Sequence, residues 1–90
     1  MRQLVQSSQF KKDFKKASKN PYWKKEDILQ VVELLAKDIS LPERFKDHVL
    51  IGNYAHCREC HIKPDWLLIY SKEGEDILNL IRTGTHSELF

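Results

Sequence analysis

Two tripeptides, Lys63-Pro64-Asp65 and Glu73-Gly74-Glu75, constrain this chain more than any other feature of its sequence. Each is short and carries the Pro or Gly that a tight turn needs. They divide the second half into three strand-length runs, 53–62, 66–72 and 76–82. Connections this short join antiparallel neighbours, so the three runs predict a meander. Upstream the period changes. Phe10, Phe14 and Ala17 recur at i, i+4 and i+7 behind Ser7 and Ser8, either of which can cap a helix, and lysines fill the spaces between them. Asn20-Pro21 ends that helix. Ile28, Val31, Val32, Leu35 and Ile39 form the stripe of a second helix over about 24–38, with Glu26 and Asp27 in the first turn, where the helix dipole favours acids. Residues 2–6 read as a first strand, 43–52 as a loop with a short extended piece ending at Gly52, and Thr83 to Phe90 as a tail. The expected fold is α+β, a strand–helix–helix–three-strand meander. Two helices pack on one face of a small, mostly antiparallel sheet, and the other face stays open for function.

A chain of 90 residues builds one domain, residues 1–90, around one modest core. Two lobes with a cleft between them are out of reach, so any site sits on the sheet surface or at a chain end. The net charge of +2 decides little, but its distribution is uneven. Residues 1–25 carry Arg2, Lys11, Lys12, Lys15, Lys16, Lys19, Lys24 and Lys25 against Asp13 alone, eight cations to one acid, or +7. The remainder is therefore −5. Such asymmetry points to a polyanionic partner on the basic side, although a solvated lysine face would give the same count. No apolar run is long enough to span a membrane. The longest, Trp66 to Tyr70, has strand length. With no export signal at the N-terminus, a cytoplasmic location and reduced cysteines are expected.

Cys57-Arg58-Glu59-Cys60-His61 matches the attachment motif of c-type haem and half of a zinc site, with His48, His56, His61 and His86 as further ligands. Haem attachment requires export and an enclosing apolar pocket. Zinc requires both cysteines on one side, yet strand alternation sends Cys57 and Cys60 to opposite faces, and no Gly or Pro between them makes a turn. No metal and no cofactor are therefore expected. The same alternation puts Glu59 and His61 on one face, and Tyr54, Cys60 and Ile62 on the other, toward the helices.

The second half contains Lys46-Asp47-His48 with Leu50 and Gly52, then Arg58-Glu59-Cys60-His61-Ile62, Pro64-Asp65-Trp66-Leu67-Leu68-Ile69-Tyr70, and Arg82-Thr83-Gly84-Thr85-His86 with Leu89-Phe90. In this order the set resembles the YafQ branch of the RelE/ParE toxin superfamily. Residues 46–90 carry the specific match, and residues 1–45 agree in length and element order. Tyr54, His56 and Cys57 depart from the residues usual there. The resemblance implies a sheet backed by two helices, and cleavage of messenger RNA in the ribosomal decoding site. It also implies a cognate antitoxin as partner and, through the antitoxin complex, operator DNA. By position, His48, His61, Asp65 and His86 match the family's catalytic set, while Trp66, Arg82 and Phe90 match positions tied to holding substrate.

Metal-free RNA cleavage suits these residue types. A base takes the proton of the 2′-hydroxyl, an acid protonates the departing 5′-oxygen, and a cation stabilises the phosphorane. Histidine serves both proton roles near neutrality, and arginine the third through its forked donors. His86 is expected as acid and His61 or His48 as base, with Glu59 in reserve as base. Asp65 would orient a histidine or raise its pKa, and Arg82 would hold the scissile phosphate. Trp66 and Phe90 would stack on bases, and Lys11, Lys12, Lys15 and Lys16 would contact ribosomal or messenger RNA. Two other readings use the same chain without that chemistry: a non-nuclease topoisomerase poison of the ParE type, and a plain nucleic-acid-binding module working through the lysine helix.

Overall fold

The computed structural model describes residues 1–90. Its elements are β1 (Gln3–Gln6), α1 (Ser8–Ala17), α2 (Lys25–Ala36), β2 (His48–Val49), β3 (Arg58–Lys63), β4 (Trp66–Glu73), β5 (Ile77–Gly84) and α3 (His86–Leu89). One five-stranded sheet runs in the order β1-β5-β4-β3-β2. β1 pairs parallel with β5, and every other neighbour is antiparallel. The meander β3–β4–β5 and the helices on one face are as the sequence predicts.

Local chemistry explains the helices. The Ser7 hydroxyl accepts the Phe10 N–H at 2.9 Å and donates to the Ile81 carbonyl at 2.7 Å, so one side chain both starts α1 and ties it to β5. In α2 the Asp27 carboxylate accepts the Lys24 N–H at 3.3 Å. Phe10 and Ala17 from α1, and Ile28, Val31, Val32, Leu35 and Ala36 from α2, are buried against Cys60, Ile62, Trp66, Leu68, Tyr70, Leu78 and Leu80 of the sheet. Burying each of the large side chains contributes about 1.5–3 kcal/mol.

Four expectations need correction. α2 stops at Ala36 because Asp38 turns into the left-handed region at φ 58°, so Ile39 leaves the stripe and is exposed. Residues 53–57 are not strand. Gly52–Tyr54 forms a 3-10 turn and His56 takes φ 71°. Tyr54 therefore does not face the helices. With Leu50, Cys57 and Ile81 it packs on Leu67, Ile69 and Leu89, a second small cluster on the far side of the sheet. That face is thus partly covered, which is why Trp66 to Tyr70 are all buried: Trp66, Leu68 and Tyr70 join the helix-side core, Leu67 and Ile69 the second cluster. Finally, the tail is structured. Thr83 and Gly84 extend β5, and His86–Leu89 is a helical turn.

Candidate active site

Three side chains meet on the far face of the sheet edge. β2 and β3 pair His48 with Glu59, and His61 lies two residues along β3 on the same side. His48 Nε2 and His61 Nε2 each lie 3.5 Å from the same oxygen, Glu59 Oε1. Glu59 is only 4% exposed, and its other oxygen is buried with no hydrogen-bond partner. A buried carboxylate short of donors is unusual. Here its charge faces two imidazoles.

The backbone fixes the tautomer of each ring. His48 Nδ1 lies 2.8 Å from the Lys46 carbonyl, and His61 Nδ1 lies 3.2 Å from the Pro64 carbonyl. A carbonyl can only accept, so each Nδ1 carries the hydrogen. Each Nε2 is left without that hydrogen, on the side of the ring toward Glu59 Oε1.

Asp65 follows Pro64, and its Oδ1 accepts the backbone N–H of His86 at 3.1 Å. The turn between β3 and β4 therefore anchors His61 through one residue and His86 through the next. Asp65, expected to orient a histidine or raise its pKa, meets His86 through the main-chain N–H and not through the ring. Around His86 the Thr83-to-Phe90 segment has a physical reason at most positions. The buried Thr83 hydroxyl donates to the Leu67 carbonyl at 2.7 Å. Gly84 admits the turn at φ 157°, where a methyl group would sit 3.0 Å from Glu88 Oε1. Thr85 and Glu88 form a capping box, Glu88 Oε1 accepting the Thr85 N–H at 2.8 Å and Thr85 Oγ1 the Glu88 N–H at 3.2 Å. Leu89 plugs the second cluster. Phe90, 56% exposed, lies 5.0 Å from the His86 ring and edge-on to Tyr54 at 5.6 Å.

Arg82 sits on β5, with β4 between it and β3, in a different set of contacts. Its Nε and Nη2 donate to the two oxygens of Asp13 on α1, both at 3.0 Å, and the Tyr54 hydroxyl lies beside the same guanidinium. Asp13 also accepts the Thr83 N–H at 3.2 Å and the Gln9 amide at 2.9 Å. Lys12 and Lys16 line the same cleft, of about 430 Å³. Lys16 pairs with Glu88, tying α3 to α1, while Lys11 and Lys15 are exposed on α1. Asp13 was legible only as the one acid of a lysine helix, although its position three residues after Phe10 places it beside the buried stripe.

Trp66 is not available to RNA. It is 1% exposed, stacked on Trp23 at 4.8 Å with planes 1° apart, and its indole N–H donates to Thr83 Oγ1 at 2.8 Å. No face of the ring is open to a base, so the stacking role expected of it is corrected to a core role. Cys60 lies in the helix-side core and Cys57 in the far cluster. Burial, then the charges of Asp47 and Glu59, push the Cys60 thiol well up, so it stays protonated and is neither nucleophile nor ligand. No group of three or more His, Cys, Asp or Glu side chains is disposed to hold a metal ion.

The Asp13–Arg82 pair carries a prediction. Burial raises the Asp13 pKa, but hydrogen bonds from Arg82, Gln9 and the Thr83 N–H together outweigh it and hold the carboxyl below its ordinary 3.8. A depressed folded pKa means stability that is complete above the unfolded value and lost as pH falls through 3.8 toward the folded value. Asp13→Asn is expected to lose about 1–3 kcal/mol near neutrality. In thermal melts from pH 7 downward, the gap between wild type and this variant should shrink below about pH 4. A gap that stays constant would mean that the carboxylate's charge is not what holds Arg82.

A family model described as "Bacterial toxin of type II toxin-antitoxin system, YafQ" matches residues 2–90. The chain is 37% identical over 89 residues to the mRNA interferase toxin YafQ of Escherichia coli strain K12, covering 99% of this chain and 96% of that protein. Among solved structures it resembles the E. coli DinJ-YafQ complex, with TM-score 0.87, 37% identity, and 100% and 99% of the two chains covered. It also resembles a metal-bound toxin from Helicobacter pylori, with TM-score 0.91, 43% identity and both chains covered in full. The match spans the whole chain, first half included, and the sheet with its two helices is that of the YafQ toxins. The chain belongs to the YafQ family of toxins of type II toxin–antitoxin systems.

Proposed function

We propose that the protein is an endoribonuclease that cuts messenger RNA at the ribosomal decoding site, held in check by a cognate antitoxin. The observation that carries the chemistry is the convergence of two tautomer-fixed imidazoles on Glu59, with His86 anchored by the same turn as His61. His61 Nε2, or His48 Nε2, takes the proton of the 2′-hydroxyl, and Glu59 stabilises the imidazolium that forms. The 2′-oxygen attacks the adjacent phosphorus. His86 delivers a proton to the departing 5′-oxygen, so the products are a 2′,3′-cyclic phosphate and a 5′-hydroxyl. Arg82, oriented by Asp13 through Nε and Nη2, turns its remaining N–H donors to the phosphate. Phe90 is exposed beside His86 and suits stacking on a base, worth about 1–3 kcal/mol. Lys11, Lys12, Lys15 and Lys16 supply salt-sensitive contact with ribosomal or messenger RNA.

The DinJ-YafQ complex supports an antitoxin as protein partner, with operator DNA reached through that complex. No helix is long and apolar enough to cross a membrane; action on ribosomes would require a cytoplasmic location. Primer extension on bacterial messages after induction, beside His86→Ala, tests the reading. New ends at a fixed codon position, absent with the variant, are expected. Growth arrest with intact messages would instead favour a topoisomerase poison. No arrest and no cleavage from a folded chain would favour a plain nucleic-acid-binding module.

A further inference from the structure

Next to His61 the sheet edge carries a depression of about 350 Å³ that no step above uses. Arg44, Lys46, Lys63 and His61 line it, with Phe45 and Pro64 as walls, and no acid does. Lys63 has one carboxylate, Asp27, at 3.5 Å. Arg44 and Lys46 take part in none of the chain's ion pairs. The other basic cleft differs on this point, because there Asp13 holds Arg82 and Glu88 holds Lys16. Unneutralised cations in a concavity attract an anion.

The walls also orient the histidines. The Pro64 carbonyl fixes His61, and the Lys46 carbonyl fixes His48. Lys46 holds a left-handed conformation at φ 50°, rare for a residue other than Gly or Asn. From it, one residue aims a carbonyl at His48 and contributes its side chain to the pocket. The Arg44 guanidinium lies over the Phe45 ring, 4.6 Å from its centre, held by its flat face while its edge donors stay free.

We propose that this pocket binds a phosphodiester of the RNA strand beside the scissile one, through Arg44 and Lys46. The inference rests on the ribonuclease reading and adds a second phosphate site to it. A strand laid across His48, Glu59 and His61 continues over the sheet edge into the pocket. Its contribution is to binding, so KM and not kcat reports it.

The test measures binding of a fully 2′-O-methyl RNA oligonucleotide, which has no 2′-hydroxyl to react, at several salt concentrations. Wild type is compared with Arg44→Gln/Lys46→Gln. A single-strand contact contributes about 0.7 to the slope of log affinity against log salt. Losing two should make the slope shallower by about 1.4 and weaken binding on the order of 25-fold at 0.1 M salt. On message bound to the ribosome, Arg44→Gln alone should raise KM and leave kcat near wild type. Arg44→Lys/Lys46→Arg should restore both affinity and slope, and Lys37→Gln, on the far end of α2, should change neither. Arg44→Gln alone, which leaves the strained Lys46 backbone intact, should give half the slope change. Slope and affinity unaltered in the double variant, beside a wild type that binds this RNA, overturn the pocket alone. A wild type that neither binds this RNA nor cleaves message on the ribosome overturns the ribonuclease reading as well. Antitoxin binding lost with RNA affinity intact would make the pocket a protein site and overturn the proposal too.

Discussion

His61→Ala is expected to slow RNA cleavage by roughly 10²–10⁴-fold, the usual worth of a positioned proton-transfer group. Its melting temperature and antitoxin affinity should stay near wild type. The ring is partly exposed, and its lost contacts are a carbonyl at the rim and a 3.5 Å ion contact, neither of which holds the sheet together. Glu59→Gln keeps the side-chain shape and removes the charge facing both Nε2 atoms. It should act through His48 and His61, with a smaller loss of about 10–100-fold. The two effects should not add, because Glu59 works only through the imidazoles. Single-turnover cleavage of ribosome-bound message over a range of pH is the decisive measurement. If His61→Ala stays within about threefold of wild type, the chemistry lies elsewhere, and the cleft holding Arg82 between α1 and α3 is the next place to look.

Trp66→Ala should be the most damaging change to the fold. Large aromatic-to-alanine changes in a core cost about 3–5 kcal/mol. A domain of this size has about 5–15 kcal/mol in total. The expected result is a fall in melting temperature of about 20 °C or more. Trp23 would lose the ring stacked on it, and the helix-side core would keep a cavity beside Leu68. Trp66→Phe separates this account from a role in base stacking. It keeps an aromatic ring and loses the donor to Thr83, so it should cost about 1 kcal/mol and leave RNA affinity unchanged. Weakened RNA binding at wild-type stability would reverse the core assignment.

Residues close together in sequence were the legible part of this protein. The Pro and Gly turns, the period-2 runs and the two apolar stripes specify the meander and both helices, because turn chemistry and side-chain periodicity are local properties. Glu59 and His61 share a face for the same reason. Local rules also place Thr85 as the cap before His86, once the tail is known to turn there. The error at 53–57 was of another kind. Nothing in that segment breaks a strand pattern strongly, and it leaves the sheet because Tyr54 and Cys57 find apolar neighbours across the far face.

The sequence by itself determined the α+β layout, the family and the set of candidate residues. Only the tertiary structure decided what those residues touch. Arg82 meets Asp13 across 69 positions, and His86 meets Asp65 across 21. Trp66 turns inward onto Trp23 while Phe90 stays at the surface. β2 exists as a two-residue edge because His48 and Val49 find Glu59 and Arg58 to pair with, and no period can be read from two residues. The physical reason is the same in each case. A hydrogen bond or buried ring is specified by the partner that packing brings to it, and packing joins residues that the chain keeps far apart.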